Sequence, residues 1–560
     1  MVSLLKFAAN SYSYAAPATQ EYVQSTVFTP LGFSPSRTSL FASPPRTTNL
    51  RFVGAGTLGL EAQAREAVEK LQGHPHFRAD LLDDWGMPYC LTVSPVTEGT
   101  AEADAAAAST LEITAEGCVP IVVVNVGCAE AVLRGSDVFA PGVSSILGSV
   151  VCGQRVCLAL QLRPAKTENS VSGEEEGGDG LLVCVGYGTA LMSRRAILQS
   201  QQKGGVAVRT EWTPMGQPSK SLLSQLLKAV ADDATVTRNS VEGGVFFLQN
   251  YSSMAAVEVL LRQLGDDVFQ GEKPLNFLDA CAAPGGKASL LLSLLNERVQ
   301  GTSLCENGNR EKDEEKGKGP DFTLVCCERS PTRYQRLLNL LERHLGASFV
   351  QRVVRPFCGD VNKLQNVMDG GCEFHGILLD PPCTGMGLRP KLSPHATTVK
   401  GIRDSADYQR KLFDTCVKML RREGMSVLVY STCTITLDEN EANVLWALNT
   451  YPCLRLARAK TEHDRRLCSL STTNFADGRR FLLQSEINEA QRRNELRIGQ
   501  RTLAEYNVRD EDKQKMVKEG GNAWEEDPLM LLRFMPGYAV DEEDGVGFFV
   551  AVFLCERGRP

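Results

Sequence analysis

The sequence predicts an α/β protein, in which a mostly parallel sheet is preceded by a separate β-rich module. Two observations carry this. After residue 273, apolar runs at 275–278, 322–326, 353–357, 376–379 and 425–430 alternate with stretches of helical spacing up to about residue 449. That is the βαβα rhythm of a parallel sheet. Between about 120 and 190 the apolar runs instead follow one another without helices, at 120–124, 150–162 and 181–188.

A chain of 560 residues is too long for one core and implies two or three domains. With 43% hydrophobic and 23% charged residues, its composition is globular. No run approaches the ~18 apolar residues of a membrane span, so no membrane partner is expected. The formal net charge of -7 argues against a uniformly basic nucleic-acid binder, yet the acids cluster in apparent insertions and leave room for a local basic groove. Eighteen cysteines without a secretory signal read as reduced intracellular thiols. The expected location is the cytoplasm, with the mitochondrion as the alternative. There is no CxxC pair, and the six histidines lack ligand spacing, so no metal is expected.

In chain order, residues 1–55 read as a disordered tail or a transit segment, being rich in Ser, Thr, Pro and Ala, with Glu21 the only acid of the first fifty. Residues 60–71 have helical spacing and lead into extended sequence, and the Ala-rich stretch 101–109 reads as a linker. Within the β-rich module, the Glu/Gly-rich interval 174–180 is a low-complexity loop. From 221 to 264 the pattern turns helical. The charged run 306–318 reads as a solvated insertion, 457–527 is polar and Arg-rich with weak periodicity, and 546–553 is a plausible last strand.

Three strand-like runs end in loops of small residues: Asp279-Ala280-Cys281-Ala282-Ala283-Pro284-Gly285-Gly286-Lys287, Asp380-Pro381-Pro382-Cys383-Thr384-Gly385 and Ser431-Thr432-Cys433-Thr434. A parallel sheet binds ligands at the carboxyl ends of its strands, so two thiols, an acid and a glycine-rich loop meet at one site. That combination points to covalent chemistry beside a nucleoside-containing cofactor. The glycines allow close backbone approach, and the helix start offers free N–H groups. The loop is not a phosphate-binding Walker loop, since its glycine and Lys-Ser/Thr spacing is absent. The next strand ends in Glu328, which can accept both ribose hydroxyls, and the following one leads to Asp360, near an adenine ring. Cys281, Cys326 and Cys327 read as structural.

At these residues the chain closely resembles the RNA cytosine-5 methyltransferases of the Fmu/NSUN family. Phe247-Leu248-Gln249-Asn250, the three loops, Ile435-Thr436 and Glu439-Asn440-Glu441 carry the likeness, which covers roughly 220–455 and the run 546–553. The paired cysteines separate it from DNA cytosine-5 enzymes, which use a Pro-Cys loop. Pro382 and Thr384 stand where Ala and Ser are commoner, and Glu328 replaces a more frequent Asp. The resemblance implies a Rossmann-like fold and S-adenosylmethionine as cofactor, contacted by Cys281, Ala282, Ala283, Pro284, Gly285, Gly286, Lys287, Glu328, Asp360 and Asp380. Cys433 is implied as the nucleophile on cytosine C6. Cys383 is implied in product release, and Lys287 and Asp380 in engaging the base.

Residues 124–143, with a signature from Gly135 to Gly142, resemble a PUA domain, a small β-barrel that binds RNA. This insertion, with the wording Cys383-Thr384-Gly385-Met386-Gly387 and Thr432-Cys433-Thr434-Ile435-Thr436-Leu437, resembles the family members that methylate cytosine 72 of tRNA. The implied partner is therefore tRNA, its CCA end read by the PUA domain while an acceptor-stem cytosine is flipped out. Arg134, Arg389 and Lys391 are candidate basic contacts. The expected domains are a tail at 1–55, a discontinuous amino-terminal part of the methyltransferase core at 56–115 and 212–265, the PUA domain at 116–211, and a methyltransferase domain at 266–560 with insertions near 302–320 and 457–527. A monomer is expected. The alternatives are the same chemistry on ribosomal or messenger RNA, or a silent RNA-binding assembly factor. The intact Lys287, Asp380, Cys383 and Cys433 weigh against the last.

Overall fold

The computed structural model describes residues 4–6, 17–28, 39–45, 47–53, 60–73, 77–83, 86–95, 119–162, 181–200, 204–213, 246–270, 274–304, 322–367, 373–392, 397–421, 423–470, 529–536 and 545–557. Three sheets organise them. The largest contains β1 (Leu275–Asp279), β2 (Phe322–Glu328), β3 (Val354–Cys358), β4 (Gly376–Leu379), β5 (Gly424–Thr432), β6 (Leu454–Leu456), β7 (Leu531–Phe534) and β8 (Phe548–Arg557). Its order is β3-β2-β1-β4-β5-β8-β6, with β7 also on β8. From β3 to β5 neighbouring strands are parallel, and β8 joins β5 antiparallel, from Gly424↔Arg557 to Thr432↔Phe549. The strand order reverses between β1 and β4. There the connecting loops diverge and leave a crevice at the carboxyl ends.

Helices cover both faces of this sheet, which is why its central strands read as near-continuous apolar runs; all four residues of β4 are buried, whereas the edge strand β3 is largely exposed. The helix Pro331–Leu345 starts at Ser330, whose side chain accepts from the Arg333 N–H, has Pro331 in its first turn, and stops at Gly346 with φ 86°. It buries Leu337, Leu341 and His344 on one stripe. The helix Tyr251–Leu264 is buried almost all round because a second sheet covers its other side, where the Tyr89 hydroxyl donates to Glu258 at 2.7 Å.

That second sheet is antiparallel, in the order Phe246–Leu248, Thr48–Phe52, Met87–Pro95, Phe77–Leu82. The helix Leu60–Leu71 packs on it through Leu60, Ala64, Ala67 and Leu71. Its core is continuous with that of the large sheet. One strand comes from within 1–55, the segment whose composition reads as a tail. Also within that segment, the helix Pro17–Val23 and the π-helical turn Gln24–Phe28 are packed, with Val23, Val27, Phe28 and Phe41 buried against Met386, Ile402, Ile435, Leu437 and Met535. These described residues differ from the tail reading because a few large apolar side chains on one face suffice for docking, whatever the average composition.

The third sheet is the β-rich module. Its order is Val138–Phe139, Val206–Trp212, Leu181–Ala190, Arg155–Leu162, Ile121–Val124, Val143–Leu147, with Leu4–Lys6 parallel on Leu181–Ala190. The expected closed β-barrel is corrected to an open sheet, since its two edge strands share no ladder among the described residues. One edge is only two residues long, and the turn Ala140–Gly142 that joins the edges contains Pro141, which has no N–H to donate. The helix Val126–Leu133, capped by the Asn125 side chain accepting from the Cys128 N–H at 2.9 Å, contributes to the core. The runs 101–109, 174–180, 221–245 and 306–318 lie outside the described residues. Of the expected insertion 457–527, residues 457–470 are described and packed: Asp464 is buried and pairs with Arg262 at 2.9 Å.

Candidate active site

The loop after β1 is tied across the switch point before it reaches the helix Gly286–Leu304. The Ala280 N–H donates to Leu378 O and the Ala282 N–H to Cys327 O, both at 2.9 Å. Gly285 sits at φ 113°, and a Cβ there would lie 2.9 Å from the Leu337 side chain. From below, the fully buried Arg51 holds the helix's first turn. Its Nε donates to Gln249 Oε1 at 2.7 Å, and its Nη2 donates to Gly286 O at 3.1 Å and to Ser289 Oγ. Burial lowers its pKa to about 10. Sequence reasoning missed Arg51, which falls in the segment read as a tail.

A crevice of about 130 Å³ opens at the ends of β1, β2 and β3, lined by Ala280, Cys281, Glu328, Arg329, Ser330, Arg333, Gly359, Asp360, Val361, Pro382, Tyr408 and Leu412. Cys281, Glu328 and Asp360 are thus brought together. The lining does not include Ala282, Ala283, Pro284, Gly285, Gly286, Lys287 or Asp380. Glu328 accepts from the Ser330 N–H at 2.7 Å and lies 3.5 Å from Arg333 Nη1, while Asp360 accepts from the Asn362 N–H at 2.9 Å. Tyr408 and Leu412 come from the helix Val399–Met419, which no loop motif announces. Burial pushes the Cys281, Cys326 and Cys327 thiols up, in keeping with structural roles.

Beside the crevice, Asp279 ends β1 with 1% exposure, and neither of its carboxylate oxygens meets a hydrogen-bond donor among the described residues. Burial raises its pKa to about 7, with Lys287 opposing the shift and Asp380 adding to it. It is a carboxylate whose acceptors are unmet.

The parallel register of β4 and β5, ending at Leu379↔Tyr430, sets the two cysteine loops side by side. Cys383 Sγ and Cys433 Sγ are 3.3 Å apart. Next to them, Lys287 Nζ donates to Asp380 Oδ2 at 2.7 Å, and Ser431 Oγ donates to Asp380 Oδ1 at 3.0 Å. Lys287 Nζ also lies 5.2 Å from the Phe548 ring. All four residues expected to be catalytic therefore converge. Contact with Cys433 and then burial hold the Cys383 thiol well above its ordinary pKa. At 3.3 Å a Cys383 S–H can donate to Cys433 Sγ.

Both loops hang on Glu439, which is buried. It accepts from the Thr384 N–H at 2.9 Å, Thr384 Oγ1 at 2.6 Å, Thr436 Oγ1 at 2.7 Å and Gln409 Nε2 at 2.9 Å. Gln409 Nε2 also donates to Pro382 O at 3.1 Å. Beyond Cys383 the chain passes within backbone contact of the approach to β8: the Gly547 N–H donates to Gly387 O at 2.7 Å, and a Cβ on Gly387 would lie 2.1 Å from Gly547 O. Glu439 lay in a recognised stretch, but its brace role had no local signal. The candidate RNA contact Arg389 is corrected. It is 3% exposed, and its guanidinium donates to Leu40 O at 2.7 Å, Ser43 O at 3.0 Å and Gly545 O at 2.8 Å. A phosphate cannot reach it. Arg134 is exposed and Lys391 half-buried.

Residues 318–490 match the profile of the family described as 16S rRNA methyltransferase RsmB/F. The chain is 32% identical to the human tRNA (cytosine(72)-C(5))-methyltransferase NSUN6 over 346 residues, 60% of each chain. It is also 32% identical to the tRNA (cytosine(72)-C(5))-methyltransferase of Pyrococcus horikoshii, over 58% of this chain and 63% of the relative. With the rRNA (cytosine-C(5))-methyltransferase NOP2C of Arabidopsis thaliana it shares 28% identity over 60% of this chain and 63% of that one. The chain thus spans about three fifths of the length of these relatives. The crystal structure of NSun6 from Pyrococcus horikoshii with SFG superposes with a TM-score of 0.55 at 21% identity, covering 98% of this chain and 100% of that one, a likeness of fold. Over residues 318–490 the chain is thus similar to the RsmB/F methyltransferases.

Proposed function

We propose that the protein transfers a methyl group from S-adenosylmethionine to C5 of a cytosine in RNA. The observation that carries this is the pair of thiols 3.3 Å apart beside the Lys287–Asp380 ion pair. A cytosine is attacked at C6 only by a thiolate, and Cys433 is the thiol we assign to that attack, with Cys383 Sγ in contact with it. The new S–C6 bond sends the electron pair of the 5,6 double bond to C5. Lys287 and Asp380 offer a donor and an acceptor that match the base's N3 or O2 and its exocyclic amine. Once C5 has been methylated, water takes the C5 proton, the C–H electron pair re-forms the 5,6 double bond, and the S–C6 bond breaks with its pair on the Cys433 sulfur. The thiolate that must leave then finds the Cys383 S–H beside it, which is how Cys383 aids release.

The crevice residues fit the cofactor. Glu328 is suited to the ribose hydroxyls and Asp360 to the adenine side, and the unmet Asp279 carboxylate would accept an ammonium group. When bound, the cofactor supplies the electrophilic methyl group.

For the substrate we infer a tRNA acceptor-stem cytosine, supported by the names of the human and Pyrococcus relatives and by the resemblance of the β-rich module to a PUA domain. Ribosomal RNA is the second reading, favoured by the name of the Arabidopsis relative. Reduced thiols favour the cytoplasm, with the mitochondrion as alternative. Bisulfite sequencing of tRNA and ribosomal RNA, with and without the gene, tests all of this. Loss of one acceptor-stem 5-methylcytosine in nuclear-encoded tRNA is expected. Loss only in organellar tRNA would move the location, and loss only in ribosomal RNA would move the substrate.

A further inference from the structure

From the small core shared by the amino-terminal segment and the two cysteine loops, we propose that residues 17–28 and 39–44 act as a positioning element for Cys383 and Cys433. The proposal rests on the thiol chemistry above. Four side chains of the segment, Val23, Val27, Phe28 and Phe41, are buried against Met386, Ile402, Ile435, Leu437 and Met535. Met386 lies in the loop just after Cys383, and Ile435 in the loop just after Cys433. The Tyr22 hydroxyl donates to Asp438, neighbour of the Glu439 brace. The segment therefore backs both loops at once.

Arg389 locks this arrangement. Its guanidinium donates to oxygens of the segment and of Gly545. Besides the three carbonyls named above, Nη2 lies 3.3 Å from Ser43 Oγ and 3.4 Å from Pro44 O, and the Lys391 N–H donates to Phe41 O at 2.7 Å. A buried guanidinium spread over carbonyls of an irregular chain satisfies acceptors that have no ladder of their own. Gly545 leads to Gly547, which holds Gly387, so the segment, the loop after Cys383 and the approach to β8 move as one body. Neither cysteine loop lies in a helix or strand that would fix it locally. Displacing a reacting atom by ~1 Å can cost on the order of 100-fold in rate.

The test uses the full chain and the variants Phe28→Ala, Phe28→Leu and a deletion of residues 1–44. Alkylation of Cys383 and Cys433 by iodoacetamide is followed by peptide mass spectrometry, with exposed Cys152 and Cys358 as references. Single-turnover methylation, S-adenosylmethionine affinity and thermal melting are measured alongside. Phe28→Ala is expected to melt cooperatively and keep its cofactor affinity. Its Cys433 alkylation rate should change at least about tenfold, and its single-turnover rate should fall by up to about 100-fold, with Phe28→Leu recovering most of both. A deletion variant that folds should behave like Phe28→Ala, and a peptide spanning residues 17–44 should partly restore it; if the deletion does not fold, the two Phe28 variants decide. Wild-type thiol reactivity and rate in Phe28→Ala would overturn the proposal, as would a parallel loss of cofactor affinity, which marks general loosening. Altered thiol reactivity with no methylation of any RNA by the wild type would instead keep the positioning role and refute the proposed reaction.

Discussion

Asp279 gives the sharpest expectation, because a buried carboxylate without donors must make stability depend on pH. The folded protein keeps this proton up to about pH 7, whereas the unfolded chain loses it near the ordinary value of 3.8. The native state therefore binds the extra proton between these values, and the contribution to stability is present at low pH and lost as pH rises through about 7. Between pH 5 and pH 8 the loss amounts to about 2.5 kcal/mol at ~1.36 kcal/mol per pH unit. Urea denaturation of the wild type and Asp279→Asn at both pH values measures it. The asparagine variant, lacking the ionisation, should gain about that much relative to the wild type on going from pH 5 to pH 8. If a cofactor ammonium pairs with the ionised carboxylate, wild-type affinity for S-adenosylmethionine should also rise about tenfold from pH 6 to pH 8, as the competent form becomes dominant. Equal pH slopes in wild type and variant would refute the reasoning about burial. A pH-independent wild-type affinity would remove the ammonium pairing.

Cys433→Ala is expected to form no covalent RNA complex, while Cys383→Ala should accumulate one on a denaturing gel; the opposite pattern would exchange their roles. Glu328→Ala should weaken S-adenosylmethionine by about 1.5–3 kcal/mol, the range for hydrogen bonds to a charged group, and calorimetry showing wild-type affinity would take Glu328 out of the site. Glu439→Ala strands donors from Thr384, Thr436 and Gln409 in the interior and should cost about 3–5 kcal/mol in urea denaturation; a loss below ~1 kcal/mol would mean that the two loops do not depend on it. A tRNA trimmed of its CCA end should be methylated more slowly at subsaturating enzyme, and equal single-turnover rates would move the substrate to another RNA.

The parallel strands were legible because burial on both faces writes itself into continuous apolar runs, as in β1, β2 and β4. The loops that carry the two thiols were legible because glycines, prolines and paired thiols in strand-end positions are local signals, and the register of β4 and β5 sets Cys383 beside Cys433. Composition did not announce the docked part of the amino-terminal segment: Ser, Thr, Pro and Ala are frequent in it, yet Val23, Val27 and Phe28 are buried together. Arg389 was misjudged because a basic residue in a loop looks the same in sequence whether it meets phosphate or backbone carbonyls.

By itself, then, the sequence determined the local chemistry: which strands are buried, which loops carry thiols, acid and glycines, and what reaction those groups suit. Only the tertiary structure decided what holds them. Arg51 reaches Gly286 and Arg389 reaches Leu40 across separations of 235 and 349 residues. The contact between the two thiols, the unmet carboxylate of Asp279 and the Glu439 brace likewise depend on the distance, burial and partners of groups from different strands and loops. Periodicity and spacing record how a residue relates to its neighbours along the chain. Desolvation and long-range hydrogen bonds are set by neighbours in space, and these appear only once the chain has closed on itself.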